Sequence, residues 1–228
     1  MQPVVNAFHH QPTGSWTYVV MDPGTRSAAV IDPVLDYDWR SGRTGTSSAD
    51  QVIAHCRAAG ASVLWILETH AHADHLSAAQ HLRTTMGGSV AIGRGVLDVQ
   101  RTFKRIFGLD AGFAADGSDF DRLLADDERL SLGQFEIQVL PVPGHTNDSV
   151  AYLVGDAVFV GDSDPYERWI LRLDPEAMSA DALTGSGTLA ERVSAALEER
   201  AGIPSAGIVV DDAISAELAQ LAVAVAAA

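Results

Sequence analysis

The chain is poor in cysteine, in basic residues and in long apolar runs. One cysteine, Cys56, permits no internal disulfide, and a reducing compartment fits that count. Cys56 sits in a helical stretch and reads as a packed apolar side chain. Lysine and arginine number 15 against 30 acidic residues, a net charge of −15 that would repel phosphate backbones and argues against nucleic acid. Small molecules and metal cations are the partners left. The N-terminus lacks a basic segment followed by an apolar run, so no secretory signal is expected. No apolar run approaches membrane-spanning length, and Leu221–Ala228 is short and rich in alanine. The expected location is cytoplasmic. No histidine follows His145, and no short-period repeat is evident.

What the chain does have is density of metal ligands at one point. Thr69-His70-Ala71-His72-Ala73-Asp74-His75 places three histidines and an aspartate within six positions. Val63–Leu67 before it is apolar and β-prone, and Leu76–Met86 after it has helical spacing. The cluster therefore lies on a loop leaving a strand and entering a helix, where layered α/β folds build their sites. Imidazole nitrogen and carboxylate oxygen are ligands for zinc or iron.

Around this centre the pattern is β-rich. Residues 1–14, with His9 and His10, read as irregular; one of these histidines is a candidate for the site mouth. Tyr18–Met21 and Ala28–Ile31 flank Asp22-Pro23-Gly24-Thr25 as a hairpin. Residues 36–46 read as a polar loop. Ser47 or Ser48 caps a helix running to about Ala59, which Gly60 stops. Ser89–Ile92 and Phe135–Leu140 read as strands, Gly95–Phe107 as a helix, and residues 110–128 as an acidic loop. Val150–Val154 and Ala157–Val160 form a second hairpin around Gly155-Asp156. Arg101, Lys104 and Arg105 share one face of the 95–107 helix and are candidates for holding substrate carboxylates.

The H-x-H-x-D-H stretch resembles the signature of the metallo-β-lactamase superfamily. Pro143-Gly144-His145-Thr146 resembles that family's next histidine loop, and Gly161-Asp162 its bridging aspartate. Ile31–Asp38, Ser41–Thr44 and Trp65–Ala79 narrow the resemblance to the persulfide dioxygenase branch, which includes bacterial β-lactamase hydrolase-like proteins. The resemblance covers about residues 5 to 163.

It implies an α/β fold, the αββα sandwich, as a single domain over 1–228 with an atypical C-terminal segment, 163–228. In the superfamily's first metal site the ligands would be His70, His72 and His145; in its second, Asp74, His75 and a late histidine, bridged by Asp162. In the persulfide dioxygenase branch one Fe(II) is held by two histidines and an aspartate, which map to His70, His145 and Asp162. His72, Asp74 and His75 then orient ligands or serve a second metal. The implied activity is oxidation of glutathione persulfide by O2 to sulfite and glutathione. The alternatives are a glyoxalase II-like zinc thioester hydrolase and an inactive scaffold. A homodimer is a further expectation.

Beyond Asp162 the family's glycine-arginine pair and late histidine are replaced by Asp164-Pro165-Tyr166-Glu167-Arg168-Trp169. Thr188–Ala201 and Ala213–Ala227 have helical composition, and Gly207–Val210 is strand-like. A divergent insert, a recombined end and a frameshifted tail each fit this text. If the tail does not rebuild the second helical layer, Ala157–Val160 would be under-covered and the protein prone to associate.

Overall fold

The computed structural model describes residues 2–163 and the backbone of two strands, 170–173 and 208–209. Six strands form the first sheet: β1 (Val4–His10), β2 (Ser15–Met21), β3 (Ser27–Ile31), β6 (Ser62–Glu68), β8 (Ser89–Gly93) and β9 (Arg122–Leu124), paired in that order. Between β3 and β6 run β4 (Val34–Asp38), β5 (Arg43–Gly45) and helix α1 (Ser47–Ala58). After β6 come β7 (Leu76–Ser77) and α2 (Ala79–Met86), and after β8 comes α3 (Val96–Ile106). A small third sheet joins β5, β4 and β7. The second large sheet is β10 (Arg129–Leu132), β11 (Phe135–Pro141), β12 (Val150–Val154), β13 (Ala157–Phe159), β14 (Ile170–Leu173) and β15 (Ile208–Val209), each antiparallel to the next.

Side-chain alternation explains the layers. In β2, Trp16, Tyr18 and Val20 face the second sheet, where they meet Leu130, Ile137, Val139, Tyr152 and Phe159. Val19 and Met21 face the other way, onto Val52, Ile53 and Cys56 of α1 and Leu82 of α2. A strand buried on both faces reads as a continuous apolar run, as β2 does. In β6 the register against β3 shifts between Val63 and Trp65. Leu64 is left 38% exposed, while Trp65 and Leu67 turn to the sheet–sheet core and Val63 and Ile66 to the helices. This irregularity sets the phase with which β6 delivers Glu68, Thr69 and His70 at its end.

The order helix, sheet, sheet matches the expected α/β sandwich. The second helical layer expected from 188–201 and 213–227 lies outside the described residues; the strand-like segment near Gly207–Val210 appears as β15. Ala157–Val160 is buried, and β13 is paired on both sides. Several local expectations are corrected. Residues 4–10 form a strand because they pair along their whole length with β2. Residues 36–46 contain the β4–β5 hairpin, and the 110–128 stretch contains β9. The strand β10 at the edge of the second sheet was not anticipated. Helix α1 starts after Thr46, and Ser48 instead bonds Asp36 through both its N–H and its hydroxyl. Among the described residues no helix is long and apolar enough to cross a membrane.

Gly161, just past β13, shows how tightly the sheet ends are fitted. Its φ is +52°, and a Cβ there would stand 2.4 Å from Thr69 Oγ1. Gly161→Ala is expected to destabilise the protein by about 1–3 kcal/mol, read by denaturant unfolding, because the left-handed backbone and the clash add.

Candidate metal centre

The His loop leaves the carboxyl end of β6 and is held by buried hydrogen bonds to Asp32, which follows β3. Asp32 Oδ1 accepts from the Thr69 N–H (2.7 Å) and Oδ2 from the Thr69 hydroxyl (2.9 Å). That hydroxyl has spent its only proton, so at 3.0 Å it accepts from His70 Nδ1–H. His70 therefore carries its lone pair on Nε2, which is buried without a hydrogen-bond partner. Burial, with His72 alongside, lowers the His70 pKa to about 4, so the ring is neutral near pH 7. A neutral imidazole with a free inward nitrogen is a ready ligand.

His72 is set by the same carboxylate. Its Nε2 lies 3.0 Å from Asp32 Oδ1 and 3.2 Å from Glu68 Oε2, while Nδ1 is buried without a hydrogen bond. Burial pulls the His72 pKa down, but Asp32 and Glu68 outweigh it and hold the pKa above the ordinary value. A cation arriving at Nδ1 would displace a proton. Burial likewise opposes ionisation of Asp32, but His72 and the Thr69 N–H outweigh it, so the carboxylate stays charged.

The second half of the molecule brings its donors to the same place. The Asp148 carboxylate accepts from the Ala71 N–H at 3.0 Å, and the Val150 N–H donates to the Thr69 carbonyl at 2.9 Å. These bonds seat the 143–149 loop against the His loop. His145 Nε2 lies 3.5 Å from Asp162 Oδ2, and His70 Nε2 lies 3.7 Å from that same oxygen. The donor atoms of His70, His145 and Asp162 all fall within 4.8 Å of one another. So do those of a second group, His70, His72 and Asp74, and of a third, Asp32, Glu68 and His72. Burial, with Asp74 near, raises the Asp162 pKa. A cation would reverse that balance, and the orphaned His70 Nε2 and His72 Nδ1 fit one.

Asp74 is held from outside. Ser15 Oγ donates to its Oδ2 at 2.6 Å; Ser15, Thr13 and His10 follow as a chain at 2.7 Å per step; and His10 Nε2 faces Asp36 Oδ1 at 3.3 Å. His10 thus acts at the rim of the site. His75 donates from Nδ1 to the Leu76 carbonyl, leaving Nε2 as its free nitrogen. A cleft of ≈ 430 Å³ above Asp74 and His75 is walled by Pro12, Tyr37, Trp39 and Leu76.

Of the six donors singled out from the sequence, the structure groups His70, His72, Asp74, His145 and Asp162, while His75 falls in none of the groups; the role of Asp32 and the contribution of Glu68 were missed. The Ile31-Asp32-Pro33 segment gave a signal only through its resemblance. Arg101, Lys104 and Arg105 are not brought to the centre. Arg101 pairs with Asp98, Lys104 donates to the Phe113 carbonyl, and none of the three lines the clefts beside the histidines.

Two facing sheets carry a cluster of His and Asp donors at their strand ends, and comparison with known proteins gives the family. Residues 10–200 match the model of the metallo-β-lactamase superfamily, and the chain belongs to that superfamily. It is 48% identical over 169 residues to a probable metallo-hydrolase of Burkholderia pseudomallei, covering 70% of this chain and 58% of that protein. It is 26% identical over 151 residues to the human mitochondrial persulfide dioxygenase ETHE1, covering 65% of this chain and 48% of that protein. Among solved structures, ETHE1 from Myxococcus xanthus is 27% identical with a TM-score of 0.52, covering 70% of this chain and 57% of that one. The chain therefore spans about half the length of the relatives it matches.

Asp32→Ala removes the acceptor for Thr69 and His72 together. We expect metal affinity to fall about 10–100-fold, measured by chelator competition. An unchanged affinity would contradict the geometry drawn above.

Proposed function

We propose that the chain carries an Fe(II)-dependent persulfide dioxygenase site. The observation that supports this most is the convergence of His70 Nε2 and His145 Nε2 on one oxygen of Asp162, with His72 in a different donor group. Two imidazoles and one carboxylate, with the remaining positions open, form the ligand set of non-haem Fe(II) oxygenases. Similarity to proteins named persulfide dioxygenase adds to it.

His70, His145 and Asp162 would hold the iron, which when bound supplies the redox chemistry with dioxygen. The balanced reaction is GSSH + O2 + H2O giving GSH, sulfite and two protons. Burial and the neighbouring His72 keep His70 neutral, and Thr69, held by Asp32, aims it inward. The cleft walled by Tyr37, Trp39, Leu76 and Pro12, beside His72, Asp74 and His75, would receive the glutathione portion. Arg101, Lys104 and Arg105 take no part. One small-molecule substrate and a reducing, cytoplasmic setting go with this reading.

A second reading rests on the His70–His72–Asp74 group, which offers a zinc ion the donors of a hydrolytic site. Its activity would be hydrolysis of an acylglutathione thioester without oxygen.

Protein purified without added metal is expected to contain iron and to consume O2 as glutathione persulfide is converted to sulfite, followed with an oxygen electrode. His70→Ala and His145→Ala should lose metal and oxygen uptake together; His75→Ala should keep most of its metal. Zinc in the protein, no oxygen uptake and thioester hydrolysis would establish the second reading instead.

A further inference from the structure

Another buried polar group borders the centre. Tyr18, on β2, is 2% exposed, and its hydroxyl has no hydrogen-bond partner among the described residues. Its ring packs tilted against Phe159, 5.3 Å between centroids at 58°. The residue lines a cavity of ≈ 10 Å³ together with Asp32, His72, Asp74, Gly161 and Asp162. That is room for about one water-sized atom group, the lower bound for a held water. The other polar walls of this cavity are the carboxylates of Asp32, Asp74 and Asp162, which accept, the Ser15 hydroxyl, which donates to Asp74, and the rings of His72 and His75. Tyr18 supplies a phenolic donor on this side.

An unsatisfied buried hydroxyl costs stability, and each such case in a folded protein calls for a reason. A packing reason is absent here: phenylalanine would fill the same space without the penalty. Charge at Asp32 and burial both keep the phenol protonated, so it remains a donor.

We propose that Tyr18 donates its phenolic hydrogen bond to a single water-sized oxygen ligand, water or hydroxide, held in this cavity beside the metal. One lone pair of that oxygen would face the cation and another would accept from Tyr18 Oη, while its proton reaches a carboxylate. This role rests on the presence of a metal centre and is the same whether the ion is iron or zinc. It therefore stands or falls separately from the dioxygenase reading.

The assignment makes Tyr18→Phe behave oppositely in the two states of the protein. Without metal, after chelator treatment, the variant should unfold at the same or a higher temperature than the parent, because an unpaired buried hydroxyl is gone. With metal, its affinity for Zn2+ or Fe2+ added alone should fall by about 10–100-fold, the size of one lost hydrogen bond to a charged centre. A Tyr18→Phe protein that is less stable without metal and binds both ions as tightly as the parent would overturn the proposal, as would one unchanged in both respects. A second measurement leaves the packing intact. With 3-fluorotyrosine at the four tyrosines, the fluorine resonance assigned to position 18 should move when Zn2+ is added. A resonance that ignores the ion would also overturn it.

Discussion

The buried Asp32 carboxylate is the interaction on which the rest of this structure depends. A lone buried carboxylate is expensive, and it is tolerated only where each oxygen finds donors. Here Oδ1 takes the Thr69 N–H and the His72 ring, and Oδ2 takes the Thr69 hydroxyl. The backbone of the same residue is also committed: its N–H donates to the Leu67 carbonyl and its carbonyl accepts from Thr17 Oγ1. Asp32 thereby pins the ends of β2, β3 and β6 at one point. It adopts a positive φ of 50° to do so. Strain of this kind persists where the surroundings over-determine it, and sites are where it gathers.

From that point the orientation of each donor follows by hydrogen-bond arithmetic. Thr69 has one proton, so giving it to Asp32 decides the tautomer of His70. Asp32 only accepts, so His72 presents Nε2–H to it, and its Nδ1 has no partner among the described residues. The second sheet is locked to this arrangement through buried contacts. Tyr152 Oη donates to the Glu68 carbonyl at 2.7 Å, Val150 extends pairing to Thr69, and Asp148 holds Ala71. His145 and Asp162 arrive on loops seated by these bonds. The metal centre is thus a product of two sheet ends meeting, which is why both hydrophobic cores must form before the donors converge.

Much of this was legible in the sequence. The spacing of His70, His72, Asp74 and His75 after an apolar run placed the donors at a strand end. The hairpins around Pro23-Gly24 and Gly155-Asp156 were marked by their turn residues. What escaped notice depends on partners far away in the chain. β1 is a strand because β2 is beside it, and β9 because β8 is; short strands take their state from neighbours more than from propensity. Asp32 carried a signal only through the family resemblance, Glu68 fell just past the expected strand Val63–Leu67, and Tyr18 read as part of a hairpin strand. Their roles exist only once Thr69, His72 and Asp162 surround them. The basic face of α3 shows the converse: a regular pattern can be a true helix face and still lie away from the site.

The most direct measurement of the account is X-ray absorption at the metal edge of protein loaded with iron under anaerobic conditions. Convergence on Asp162 predicts one metal per chain with two imidazole nitrogens, from His70 and His145, one carboxylate oxygen, and light-atom ligands filling the rest. A metal–metal vector near ~3.5–4 Å, the spacing of a two-metal site, would contradict it, and so would a third imidazole retained from His72.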